Sequence, residues 1–138
     1  MGLWGHQTAA VEFALERPGT LLHMGMGTGK TRVAIEVTRR TQSKVTVVLC
    51  PKSVIQNWVD QLTTFGPEIV PVPLIKGTAK EKVTRVKTRA ARASVDGRPI
   101  MVILNYELAV RSNAIKTYLG QMGIDLLILD ESHRVKNP

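Results

Sequence analysis

Met24-Gly25-Met26-Gly27-Thr28-Gly29-Lys30-Thr31 stands between a short apolar run, residues 20–24, and a segment in which Val33, Ala34 and Val37 recur at helical spacing. A glycine-rich turn from a buried strand into a helix is the setting a phosphate-binding loop requires. Glycines let successive backbone N–H groups turn inward around phosphate oxygens, and the helix that starts there adds the positive end of its dipole. In this pattern Gly27, Thr28 and Gly29 form the cradle, Lys30 reaches the β and γ phosphates, and the Thr31 hydroxyl ligates Mg²⁺. Met24 is a departure, standing where the general G-x-x-x-x-G-K-T pattern has its first glycine. The plain alternative is a turn with no ligand, and Lys-Thr in register speaks against it.

Working outward, the chain alternates between two kinds of segment. Residues 6–17 read as a first helix, with Ala10, Val11, Ala14 and Leu15 on one stripe and Pro18-Gly19 as its stop. A helix is expected over residues 30–41 and a β-branched strand over 45–49. After Pro51, the spacing Ser53-x-x-Gln56 predicts a capping box. It opens a helix whose stripe holds Val54, Ile55, Trp58, Val59, Leu62 and Phe65. Residues 69–75 read as a strand that Pro71 and Pro73 push to a sheet edge, because proline cannot donate to the ladder. Thr78-x-x-Glu81 predicts a second capping box, before a helix with a thin stripe of Val83, Val86, Ala90 and Ala93. Residues 100–104 are the next strand. Asn105 is positioned to cap a helical region over 106–122 that breaks near Ser112-Asn113, and residues 124–129 are the last strand. Strands and helices alternating in this way predict an α/β fold, a parallel sheet with helices on both faces in three layers.

That last strand ends in Leu129-Asp130-Glu131, two carboxylates at the strand end where ligands of open α/β sheets bind. Asp130 is expected to hold the Mg²⁺ that Thr31 also ligates, and Glu131 to take a proton from the water attacking the γ phosphate. Taken alone, such a pair is more often a helix cap with a first-turn charge. The glycine loop reverses that preference.

The length, 138 residues, allows one compact domain spanning 1–138. The 43% hydrophobic content supplies a core, and no stretch approaches the roughly 20 apolar residues of a membrane span. No secretory signal opens the sequence, and the single cysteine, Cys50, cannot form an internal disulfide, which suits a reducing, cytoplasmic compartment. Cys50 reads as a small buried apolar residue, with no His or Asp beside it in sequence. His6 and His23 read as structural. Lys and Arg number 19 against 11 Asp and Glu, a net charge of +8. Eight of the basic residues lie between Lys76 and Arg98, with only Glu81 and Asp96 opposing them. That segment is either a solvated helix face or a surface for a polyanionic backbone.

Asp130-Glu131-Ser132-His133 closely resembles motif II of superfamily-two helicases, and Arg134-Val135-Lys136-Asn137 is similar to its Swi/Snf-type branch of DNA translocases. Met26-Gly27-Thr28-Gly29-Lys30-Thr31 resembles that branch's motif I, in which the first glycine is normally missing. Leu3-Trp4-Gly5-His6-Gln7 is similar to the adenine-reading Q motif, with Trp4-Gly5 in place of the usual Arg-Pro. Val48-Leu49-Cys50-Pro51-Lys52-Ser53 with Trp58 resembles motif Ia, and Ile103-Leu104-Asn105-Tyr106-Glu107 resembles motif Ib. The resemblance implies a P-loop NTPase of the RecA-like helicase type, using ATP and Mg²⁺, with Gln7 at the adenine. It also implies Lys52, Ser53, Asn105 and Tyr106 on a nucleic-acid backbone, expected to be double-stranded DNA, and His133 as the residue coupling hydrolysis to movement. The compact, insertion-free style suits a viral or bacterial member.

Family members continue past motif II into motif III and a second lobe, so the resemblance implies a lobe truncated after motif II. The partner it lacks is the C-terminal RecA-like lobe, whose arginine finger adds about 10³ to 10⁵ in rate. ATP binding with very slow turnover is therefore expected. In this fold the motif III strand lies between those of motifs I and II, which predicts a gap in the sheet and marginal stability. Two other readings stand beside this one: another P-loop enzyme such as a kinase or RNA helicase, or a nucleotide- or DNA-binding module without turnover.

Overall fold

The computed structural model describes residues 20–24 and 30–130. The helix expected over 6–17 and the candidate residues Gln7, Gly27, Thr28, Gly29, Glu131 and His133 lie outside the described residues. The element order is β1 (Thr20–Met24), α1 (Lys30–Arg40), β2 (Val45–Cys50), a 3-10 turn (Lys52–Val54), α2 (Ile55–Phe65), β3 (Val70–Pro73) and α3 (Ala79–Asp96). There follow β4 (Ile100–Asn105), α4 (Tyr106–Arg111), α5 (Asn113–Met122) and β5 (Leu126–Asp130). The strands form one sheet in the order β1-β5-β2-β4-β3, with every neighbouring pair parallel.

Continuous apolar strands need cover on both faces, and the strand period of two divides their side chains between two layers. Val47, Leu49, Val102, Leu104, Leu127 and Leu129 pack against α3 and α5 through Val86, Ala93, Ile115 and Leu119. On the other face Val48, Cys50, Met101, Ile103, Leu126 and Ile128 meet Ala34 and Ile35 of α1 and Ile55, Trp58 and Leu62 of α2. The chain crosses the sheet outward through α1 and α2 and returns through α3, α4 and α5. Right-handed crossovers in opposite directions put their helices on opposite faces, which gives the three layers.

β3 is an edge strand, as Pro71 and Pro73 predict. Val70 and Leu74 donate to Pro99 and Ile103, so the alternate positions 71 and 73 face outward, where proline has no N–H to offer. The outward carbonyls are occupied as well: Arg89 Nη1 donates to Pro71 O at 3.0 Å and Arg85 Nη1 to Pro73 O at 3.5 Å. Arg85 Nη2 also reaches Lys76 O at 2.9 Å, and Arg98 binds Glu68 O and Pro67 O at 3.0 and 2.8 Å. Three of the eight clustered cations therefore hold the protein's own main chain. Neither reading of that segment, solvated face or polyanion surface, anticipates this.

Local signals fared unequally. Thr78 and Glu81 form both bonds of the expected capping box, with Glu81 N to Thr78 Oγ1 at 3.1 Å and Thr78 N to Glu81 Oε1 at 2.8 Å. Ser112 caps α5 where the break was expected, accepting from Ile115 N at 3.2 Å. The box expected at Ser53-x-x-Gln56 is absent. Pro51 O instead accepts from Val54 N at 3.0 Å and starts a 3-10 turn, which moves the α2 cap to Val54 and leaves Ser53 inside the turn, exposed. Asn105 stands at the N-cap of α4 without a side-chain cap bond. β5 begins at Leu126 rather than at 124, after Asp125 turns its carboxylate to Lys44 N and Val45 N at 2.9 and 3.1 Å.

The expected gap in the sheet is not present either. β1 and β5 are direct neighbours, paired from Thr20↔Leu126 to Met24↔Asp130. Buried main-chain donors and acceptors are costly to leave unpaired, and two apolar strands of equal length satisfy each other by closing together.

Candidate nucleotide and nucleic-acid site

Because all five strands are parallel, their C-terminal ends share one rim, and four of the loops singled out in the sequence leave from it. Met24 and Asp130 are register partners on adjacent strands, about 4.8 Å apart in a sheet. The chain thus leaves β1 beside Asp130. Lys30 is the first residue of α1 and Thr31, half-buried, the second. α1 runs 11 residues and offers the orphan N–H groups of its first turn to an anion. Its flank is held to α2 by the Arg32 guanidinium, 4.5 Å from the centre of the Phe65 ring.

Asp130 is 1% exposed. Leu126 and Ile128 face the α1 and α2 layer, so by strand alternation the Asp130 side chain does too. There the Trp58 indole Nε1 donates to Asp130 Oδ2 at 2.8 Å. From the other layer the Tyr106 hydroxyl donates to the main-chain O of Asp130 at 2.9 Å. Cys50 lies in the same core as Trp58; burial first, and the Asp130 charge second, push its thiol far above the ordinary range, so it is no nucleophile.

This donor set fits Mg²⁺. Asp130 and Thr31 supply hard oxygens of the kind that cation takes, at the start of a helix that favours phosphate. Among the described residues no three His, Cys, Asp or Glu side chains converge to cage a metal.

The second pair of loops is also adjacent, since Cys50 and Asn105 are register partners. Lys52 and Ser53 are exposed and Asn105 is half-buried. Tyr106 differs: it is 7% exposed, and its hydroxyl is turned inward to Asp130. Beside these loops lies a groove of about 490 Å³ lined in part by Lys52, Asn105, Lys82, Arg111 and Ser112. Lys82 and Arg111 bring positive charge from α3 and α4, with Glu107 the acidic residue on the lining. Lys82 belongs to the basic segment read as a solvated face or a polyanion surface, whereas Arg111 was not singled out in the sequence, because a lone arginine at a helix end carries no pattern of its own. A larger cleft, about 590 Å³, opens at the opposite rim around Arg39, Lys44, Glu68 and Arg98. It holds none of the motif residues, and its two arginines already bind Glu68.

The sequence pattern puts Trp58 on the core stripe, and the motif resemblance puts Tyr106 on a nucleic-acid backbone. The signal that leads to Asp130 is weak but physical. A buried indole N–H needs an acceptor, and the strand ends of one rim are where a carboxylate can meet it.

A family model described as the SNF2-related domain matches residues 6–138. The chain is 31% identical over 91 residues to the probable ATP-dependent DNA helicase CHR23 of Arabidopsis thaliana, covering 66% of this chain and 8% of that protein. It is 29% identical over 132 residues to the DNA repair protein rhp54 of Schizosaccharomyces pombe, covering 86% of this chain and 15% of that protein. It is 31% identical over 118 residues to the lymphoid-specific helicase of Homo sapiens, covering 81% of this chain and 13% of that protein. The chain thus spans 8% to 15% of the length of these relatives.

Proposed function

Since the chain belongs to the SNF2-related family, matched over residues 6–138, we propose that it is the ATP-binding lobe of a DNA-dependent ATPase that moves along or remodels double-stranded DNA. The observation that carries this reading is the Met24↔Asp130 register, which sets the strand end that leads into a glycine-rich sequence beside a buried carboxylate at one rim. A second pair of loops and a basic groove at the same rim support the nucleic-acid part.

In this reading Gln7 recognises adenine, and the Gly27-Thr28-Gly29 main chain and Lys30 hold the phosphates. Thr31 and Asp130 would hold Mg²⁺, which when bound neutralises charge on the β and γ phosphates. Glu131 orients the attacking water and accepts its proton. His133 passes the state of the nucleotide to the rest of the motor. Lys52, Ser53 and Asn105, with Lys82 and Arg111 beside them, contact DNA phosphates, and Tyr106 contributes through its main chain because its ring is buried. Contacts of this kind fix position without reading bases, as a translocating protein requires. Domain 1–138 is one lobe, completed by a second lobe with an arginine finger.

ATP binding and turnover, measured with duplex DNA, single-stranded DNA and RNA and with the second lobe supplied, test the reading. Lys30→Ala is expected to abolish nucleotide binding. Glu131→Gln is expected to keep binding while stopping turnover. Equal loss of binding in both variants contradicts the assigned roles, and stimulation by RNA alone contradicts the DNA assignment.

A further inference from the structure

We propose that Trp58 and Tyr106 are positioning residues that fix Asp130 for Mg²⁺ and thereby tie the nucleotide site to the two loops that face nucleic acid. The inference rests on the functional reading above and adds a physical connection within it. Trp58 belongs to α2, the helix that follows Lys52 and Ser53, and Tyr106 directly follows Asn105. Each candidate nucleic-acid loop therefore carries one aromatic side chain, and both aromatic tips end on the same residue.

The two bonds constrain different freedoms. Trp58 Nε1, 2.8 Å from Oδ2, fixes the rotation of the carboxylate. Tyr106, 2.9 Å from the main-chain oxygen, fixes the end of β5. They arrive from opposite layers, with Trp58 in the core under α1 and α2 and Tyr106 in the core under α3 and α5. A shift of either loop is thus carried to the Asp130 oxygens through packed, buried aromatic rings. Groups that orient a metal ligand from behind are the usual means of setting ligand geometry.

Calorimetry on the chain measures ADP binding with and without Mg²⁺, and with and without duplex DNA, for the wild type, Trp58→Phe and Tyr106→Phe. Loss of the indole donor is expected to weaken the Mg²⁺-dependent part of ADP binding by about tenfold, the scale found when the partner of a metal ligand is removed. ADP binding without Mg²⁺ is expected to be unchanged. The change in ADP affinity caused by DNA is expected to shrink in both variants, more in Trp58→Phe. A merely structural role would lower the melting temperature and leave the Mg²⁺ dependence and the DNA effect intact; that result overturns the proposal. Failure of the wild type to bind ADP or DNA overturns the functional reading itself. NMR of the indole protons gives a second readout that leaves Trp58 and Tyr106 unsubstituted, with Trp58 assigned by comparison with Trp4→Phe. The Trp58 Nε1–H resonance is expected to shift with Mg²⁺ and ADP together and not with ADP alone; an unmoved resonance overturns the proposal.

Discussion

Cys50 has no exposed surface, and its thiol is pushed far above its usual range by burial and then by the charge of Asp130. A thiol reagent at neutral pH is expected to reach it only through unfolding, so that labelling followed by mass spectrometry tracks the population of the open chain. Rapid labelling of the native protein would contradict the packing of the α1 and α2 layer. At this scale the sequence was informative about chemical type and poor about partners. Asp130 and Cys50 were readable as a strand-end carboxylate and a buried sulfur, because each depends on its immediate neighbours. The bonds from Trp58 and Tyr106 to Asp130 span 72 and 24 residues and exist only once three strand ends share a rim.

At the scale of elements, β3 illustrates what prolines disclose and what they conceal. Pro71 and Pro73 marked the strand as an edge because they lack donors, and it is one. They did not disclose that Arg85 and Arg89, read as part of a charged helix face, would cover the outward carbonyls. Edge strands that keep both donors and acceptors invite pairing with another chain. The double substitution Pro71→Val, Pro73→Thr restores outward N–H groups and is expected to increase self-association in sedimentation or light scattering. An unchanged association state would mean that the arginines alone suffice. The two capping signals teach a related lesson. Thr78 and Glu81 had no competitor, whereas at Ser53 the preceding Pro51 favoured a tighter turn and took over the helix start.

For the whole molecule, one sheet serves both cores, so neither helical layer can be lost without exposing the other side of the same strands. Denaturant melts followed by far-ultraviolet circular dichroism and by Cys50 labelling are expected to coincide in a single transition. Two separated transitions would show that the layers fold independently. Strand order was the least legible feature of the sequence. The resemblance placed another strand between the loop-bearing and acid-bearing strands, yet Thr20 to Met24 pair directly with Leu126 to Asp130. Nothing local in an apolar run specifies its neighbour, since any parallel partner satisfies the same main-chain groups. The proline edge has a consequence at this scale. With β3 stripped of outward donors and its carbonyls engaged, the sheet has a polarity of growth. Among the described strands only β1 offers a margin at which another strand could join. An extension of the sheet would therefore assemble on the nucleotide side and leave the basic groove at the far side open.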